Sequence, residues 1–191
     1  LRLDTDNASG SKRTSIRSGR QKVGKADADS LAYTARLRYA GVPGFQWSAA
    51  VQRQTDLAQG DADGIGIGSI GATLLETDVT FERGMFNLRA LYARWSIDDE
   101  IEALSPGADE QSGWYIEPSW KFSKQLGVFA RYGTYDLRAG DSTASNEKTR
   151  LDFGFNYWMH ENVVIKADYT RQDDDQGNDT DGVNIGFGYS F

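Results

Sequence analysis

Apolar and polar residues alternate with a period of two in segments of about ten residues, the repeat of a strand whose two faces meet different surroundings. Helical spacing does not recur for long anywhere. In the last segment Val183, Ile185, Phe187, Tyr189 and Phe191 alternate with Asn184, Gly186, Gly188 and Ser190. Eight more segments fall into four hairpins. Leu31, Tyr33, Ala35, Leu37 and Tyr39 lead through Gly41-Val42-Pro43-Gly44 to Phe45, Trp47, Ala49 and Val51, and Leu75, Val79 and Phe81 lead through Arg83-Gly84-Met85 to Phe86, Leu88, Ala90 and Tyr92. Trp114, Ile116, Trp120 and Phe122 lead through Ser123-Lys124-Gln125 to Val128, Ala130 and Tyr132. Leu151, Phe153, Phe155 and Tyr157 lead through Met159-His160-Glu161-Asn162 to Val163, Ile165, Ala167 and Tyr169. The pattern predicts nine strands, with a tenth candidate where Leu1, Leu3 and Thr5 alternate with Arg2, Asp4 and Asp6.

The connections alternate in length. Turns within hairpins are short, whereas the segments between hairpins (58–71, 97–112, 139–149 and 173–182) are rich in Gly, Asp and Ser. Short turns on one side, long loops on the other and strands of about 9–11 residues are what a transmembrane β-barrel requires, because backbone groups in hydrocarbon are satisfied only within a closed antiparallel sheet. None of the apolar-face residues named above is charged. The opposite face carries Arg36, Arg38, Glu76, Asp78, Glu82, Arg89, Glu117, Lys121, Arg131, Asp152, Lys166 and Asp168, the candidate pore-lining residues. A soluble β-sandwich or jelly roll also alternates. Uniform strand length, aromatics at strand ends (Tyr39, Phe45, Trp120, Phe122, Tyr157, Tyr189) and the final Phe191 favour the barrel.

Composition narrows the picture. The chain has 191 residues with net charge -7, no cysteine and 12% aromatic residues, and its mean hydropathy is -0.58. That aromatic content excludes a disordered acidic chain, and no apolar run is long enough for a membrane-spanning helix. Without cysteine there are no disulfides or thiolate metal sites, which fits an oxidising envelope compartment. The acidic balance argues against nucleic acid as a partner.

Residues 11–25 are the exception, because Lys12, Arg13, Arg17, Arg20, Lys22 and Lys25 stand there without an acid among them. Such a segment folded into a lumen would attract anions; outside, it would meet lipopolysaccharide phosphates or solvent. The strand charges of the polar face balance, six basic against six acidic. Cross-strand ion pairs are therefore expected, Lys166 with Asp152 among them. The acidic runs at Asp98-Asp99-Glu100, Asp109-Glu110 and Asp173-Asp174-Asp175 with Asp179 and Asp181 depart from the EF-hand spacing and read as a solvated rim, bridged to lipopolysaccharide by divalent ions. Gly66-Ile-Gly-Ser-Ile-Gly71 lacks the βαβ context of a dinucleotide site. The single histidine, His160, sits in a short turn with no nucleophile beside it, so neither an enzyme, a cofactor nor a metal centre is expected.

The terminal Gly-Phe-Gly-Tyr-Ser-Phe191 resembles the C-terminal signal of bacterial outer-membrane proteins, with Phe191 as the residue read by the barrel assembly machinery. Residues 151–169, with Gly154-Phe-Asn-Tyr-Trp158 and Val164-Ile-Lys-Ala-Asp-Tyr169, resemble the penultimate hairpin of the phosphate-selective porin O and P family. Gly113-Trp-Tyr-Ile-Glu-Pro-Ser-Trp120 and Phe129-Ala-Arg-Tyr132 are similar to other strands of that family. The resemblance implies a homotrimeric, 16-stranded porin of which this chain is the C-terminal part, in the outer membrane among lipid and lipopolysaccharide. Residues 1–191 are expected to form a single outer-membrane β-barrel domain, incomplete at the N-terminus; a complete ten-stranded barrel stays open beside that reading. The function expected is passive diffusion of small hydrophilic solutes with an anion preference; the alternative is a closed barrel that anchors lipopolysaccharide or another surface protein.

Overall fold

The computed structural model describes Thr14, Ile16 and residues 29–59, 68–143, 146–175, 177 and 179–190. The tenth-strand candidate over residues 1–6, the six cations of the basic segment and Phe191 lie outside the described residues. Nine strands form one antiparallel sheet in chain order: β1 (Ala32–Val42), β2 (Phe45–Gln54), β3 (Ala72–Arg83), β4 (Phe86–Ile97), β5 (Glu110–Lys121), β6 (Leu126–Asp136), β7 (Lys148–His160), β8 (Val163–Asp174) and β9 (Thr180–Tyr189). Among the described residues β1 and β9 pair only with β2 and β8, so the sheet is open.

The turns form where the sequence places them. Between β1 and β2 the chain reverses over Pro43-Gly44; Gly44 has φ +78°, and its carbonyl accepts a hydrogen bond from the Glu82 amide at 2.6 Å. A Cβ there would run into the Glu82 carbonyl. That positive φ and close approach call for glycine. Several strands run further than the alternation of apolar residues suggests: Glu110–Ser112, Lys148–Thr149, Asp173–Asp174 and Thr180–Gly182 belong to strands, not to the long connections. The ladder continues there while the outward side chains become Glu110, Asp173 and Asp181, so hydrophobic alternation ends before hydrogen bonding does.

Register brings the apolar positions together. One row reads Tyr39, Trp47, Val79, Ala90, Ile116, Tyr132, Leu151, Arg171 across β1 to β8. Its members are the third residue of β2, the fifth of β4, the seventh of β6 and the ninth of β8. The row therefore climbs two residues, about 6.7 Å, for every two strands, about 9.6 Å. With the short turns at one level, the strands tilt by about 35°, as in a membrane barrel.

Among the described residues nothing packs behind the apolar face. Leu37, Leu75, Trp120, Phe153, Phe155, Ile185 and Phe187 are all exposed, Ile185 at 80%. In a sandwich these side chains would be the core; here they need an apolar surrounding that the described residues do not supply. The buried cluster lies elsewhere, among the long connections: Leu57, Ile70, Ala72, Ile97, Ile101 and Ala108, with Trp95, Leu104 and Ile16 against it. A 3₁₀ turn over Asp99–Ala103 carries Ile101 into that cluster.

Candidate functional site

Alternation places all twelve charged positions predicted for the polar face on one side of the sheet. Arg89 is in register with Glu117, Arg131 with Asp152, and Gly154 with Asp168. Most of these charges are held by neighbours. Arg36 pairs with Asp78 at 3.0 Å and donates to Ser48 at 2.7 Å, and Ser48 in turn bonds Asp78. Arg131 grips Glu117 through Nε at 2.7 Å and Nη2 at 2.5 Å, and its guanidinium carbon lies 4.6 Å from the centre of the Tyr115 ring. Arg38 donates to Gln46 at 2.5 Å, Asn87 to Glu82 at 2.8 Å and Asn184 to Asp168 at 2.7 Å. Lys121 rests 4.3 Å over Trp158.

The expected pair of Lys166 with Asp152 is not formed. Register sets Lys166 opposite Asn156 and Gly186, while Asp152 stands opposite Thr170. Asp152 is buried and is taken by Arg150, whose Nε lies 2.9 Å from both carboxylate oxygens, and by Thr170 at 2.5 Å. Arg150 is absent from the sequence prediction, although its spacing of two from Asp152 puts it on the same face. Lys148, paired with Asp174 at 2.9 Å, is missing for the same reason.

Arg38 and Lys121 have no carboxylate partner among the described residues but rest on Gln46 and Trp158, which leaves two cations with room around them. Among the described residues no carboxylate lies within 4.0 Å of Arg89 or Lys166. Both border a polar hollow of about 560 Å³, together with Arg131, Arg150, Asp168 and Asn184. A second hollow of about 370 Å³ shares Arg131, Arg150 and Asp152 with it but is lined elsewhere by Leu91, Ala93, Tyr115 and Tyr135. These four share the parity of the charged residues and also escape a reading that looks for charge alone.

At the long-loop end the buried cluster folds over this same face, since Ala72, Trp95 and Ile97 have its parity. Asp56 holds the connection there, its Oδ1 accepting from the amides of Ala58 at 2.8 Å and Ile70 at 3.1 Å. Gln111, also on the polar face, donates through Nε2 to the Thr14 carbonyl at 2.8 Å. Thr14 and Ile16 lie within the basic segment 11–25 and so are anchored on the polar side of the sheet.

Residues 4–178 match the profile of the family described as Gram-negative porin. The chain belongs to that family. Its porin fold agrees with solved structures: the anion-selective porin from Comamonas acidovorans (TM-score 0.63, 12% identity, 84% of this chain and 49% of that one), and the outer membrane protein OmpT of Vibrio cholerae in its trimer form (TM-score 0.58, 12% identity, 85% and 56%). OccK10 of Pseudomonas aeruginosa is similar as well (TM-score 0.57, 14% identity, 84% and 54%). An uncharacterized protein of Aquifex aeolicus is 25% identical over 85% of this chain and 42% of its own length. The porin chain thus spans about half the length of the relatives it matches. It is an outer-membrane protein, and bilayer hydrocarbon is the surrounding that the exposed apolar face of this porin requires.

Proposed function

We propose that the polar face is the wall of a water-filled channel through which small hydrophilic solutes and ions diffuse, with a preference for anions. The observation that carries the reading is a single layer with two unlike faces: one apolar and uncovered among the described residues, the other lined with the twelve predicted charges, most of them held by neighbouring side chains. A closed barrel of nine or ten strands is largely filled by its own side chains, whereas about 16 strands leave a channel. The open edges at β1 and β9 and the half-length coverage support a larger barrel of which these strands form one part. Trimeric assembly is in keeping with the trimer form of the Vibrio cholerae relative. Lipopolysaccharide at the loop rim, and the barrel assembly machinery at Phe191, are the expected envelope partners.

With the three ion pairs set aside, the twelve positions leave four bases (Arg38, Arg89, Lys121, Lys166) and three acids (Glu76, Glu82, Asp168), so the anion preference rests mainly on the basic segment, with Arg89 and Lys166 as cations bordering the polar hollow. Thr14 and Ile16 are tied to the polar side, and Lys12, Arg13 and Arg17 are their near neighbours in sequence. Cations beside a low-dielectric wall raise the local anion concentration. The name of the Comamonas acidovorans relative points the same way.

Reversal potentials in planar bilayers under a salt gradient test this. The native protein is expected to give discrete steps with an anion-selective potential, and Lys/Arg→Ser exchange at Lys12, Arg13, Arg17, Arg20, Lys22 and Lys25 is expected to move the potential toward zero. An unchanged potential discards the role of the segment. A folded protein that never conducts shifts the reading to a closed barrel anchoring lipopolysaccharide or a surface protein.

A further inference from the structure

We infer that the barrel wall carries a built-in point of opening between β5 and β6 at Pro118, pinned on the polar side by the Glu117–Arg131 pair and wetted from that side. The gap in the ladder stands on register alone; the supply of water rests on the reading of the polar face as a channel wall.

Proline inside a strand that is paired on both flanks is out of place, because it brings no N–H to the ladder. Pro118 is such a residue, between Ile116 and Trp120 on the apolar side of β5. Which flank loses the bond follows from parity. The Lys121 amide donates to the Met85 carbonyl at 2.8 Å, so odd-numbered residues of β5 turn their backbone groups to β4 and even-numbered ones turn theirs to β6. The register agrees. Strands β4 and β5 are paired without a break from Phe86↔Trp120 to Ser96↔Glu110, whereas β5 and β6 lack the rungs Glu117–Arg131 and Pro118–Ala130. Among the described residues no other pair of strands is interrupted in mid-strand; β1 with β2 and β7 with β8 shift only beside their turns.

The Ala130 carbonyl is therefore left without its ladder donor, at a level where the lipid side offers only Leu88, Pro118 and Phe153 in register. An unpaired carbonyl in hydrocarbon is too costly to persist. The polar side supplies the remedy. The 560 Å³ hollow is bordered by Glu117, Ser119, Phe129 and Arg131, the sequence neighbours of Pro118 and Ala130, so water standing there reaches the gap and donates to the carbonyl. Side chains hold what the backbone does not. Arg131 and Glu117 face each other across the lost rung, and the guanidinium grips the carboxylate through Nε at 2.7 Å and Nη2 at 2.5 Å. Tyr115, two residues along β5, carries the guanidinium 4.6 Å from its ring centre and keeps it in place. An ion pair strapped over a missing hydrogen bond makes opening local: β5 parts from β6 there while the ladders to β4 and β7 stay closed.

Amide exchange of the folded chain in detergent micelles, resolved by NMR and corrected for intrinsic rates, tests this without any substitution. Ala130 turns its N–H to β5 and Arg131 turns its own to β7, at one depth in the wall, so the ratio of their rates isolates the seam. Ala130 is expected to exchange about tenfold faster than Arg131. Pro118→Ala returns the missing N–H and should bring the two within about threefold. Glu117→Gln should speed Ala130 about tenfold further in the native chain but less than about threefold in the Pro118→Ala background, because the clamp matters where the rung is missing. The infrared band of a ¹³C-labelled Ala130 carbonyl is expected at the frequency of a hydrogen-bonded group. Heat-modifiable gel migration establishes that each variant is folded.

Equal protection of Ala130 and Arg131 in the native chain overturns the seam, as does an Ala130 rate unmoved by Pro118→Ala. Equal effects of Glu117→Gln in the two backgrounds remove the clamp, and a carbonyl band at the free frequency removes the water. Conductance of the same preparation separates the two readings. Steps with equal protection leave the channel standing and remove the seam; a fast Ala130 amide in a protein that never conducts keeps the seam and removes the open channel.

Discussion

Ile116 lies on the apolar face between Ala90 and Tyr132, near the middle of its strand, with Trp114 and Trp120 at the upper and lower aromatic levels. Replacing it by arginine places a charge close to the bilayer midplane. In membrane barrels that costs about 2–4 kcal/mol, and the cost falls to about 0–1 kcal/mol near the interfaces. Ile116→Arg is therefore expected to shift the folding equilibrium roughly 30- to 700-fold, at 1.4 kcal/mol per factor of ten. Thr149→Arg, on the same face but at the outer end of β7 opposite Asp173, is expected to stay within about 1 kcal/mol. Reversible urea titration in phospholipid vesicles, read by tryptophan emission and heat-modifiable migration, gives both values. Were the face simply wetted, Ile116 at 39% exposed would tolerate arginine within about 0.5 kcal/mol. Equal costs at Ile116 and Thr149 would falsify the depth argument, and with it the assignment of this face to lipid.

Three further outcomes follow from particular contacts. Asp56→Ala removes the acceptor for two buried amides, those of Ala58 and Ile70; the connection after β2 should loosen by about 1–3 kcal/mol, seen as faster amide exchange and proteolytic cleavage there with the strands still protected. Gly44→Ala meets both a φ of +78° and the Glu82 carbonyl; it should destabilise by about 1 kcal/mol or more, and a midpoint unchanged in urea would count against the turn geometry. Arg53, Arg94 and Arg171 are each the ninth residue of their strand on the apolar side. Cysteine introduced singly at each, which the cysteine-free chain allows, should report the same bilayer depth by nitroxide-lipid quenching, within one residue rise of about 3.4 Å; a spread of twice that would contradict the tilt.

The strands were legible because two unlike surroundings force a period of two on every segment that crosses the membrane. Tyr33 to Tyr39 on β1 and Phe153 to Tyr157 on β7 declare their face without help from any other strand. Strand ends were not legible. Beyond Arg53, Arg94 and Arg171 the outward side chains meet headgroups and water, so Glu110, Asp173 and Asp181 continue a ladder whose hydrophobic signature has stopped. The three arginines mark that level well. Each has an acid beside it, Asp98 at 3.6 Å for Arg53, Glu110 for Arg94 and Asp173 at 2.9 Å for Arg171, as expected where polar groups crowd the upper interface.

Partners across strands were harder to read, because a period fixes the face but not the register. Lys166 and Asp152 share a face and a hairpin, yet fourteen residues of separation say nothing of which rows they occupy; they stand two rows apart, and Arg150 reaches Asp152 along the same strand. The consequence reaches function. A balanced wall of six bases and six acids looks neutral in the sequence, but Asp78, Glu117 and Asp152 are locked to Arg36, Arg131 and Arg150, and one base of that set comes from outside the twelve. The locked pairs cancel at a distance of more than a Debye length and add little field inside the channel. In the proposed channel a passing ion would meet the remainder, Arg38, Arg89, Lys121 and Lys166 against Glu76, Glu82 and Asp168, of which Arg38, Glu82 and Asp168 are bonded to Gln46, Asn87 and Asn184. Selectivity would then belong to the groups the register leaves unneutralised, and counting charges along the sequence misjudges it wherever strands pair some of them and not others.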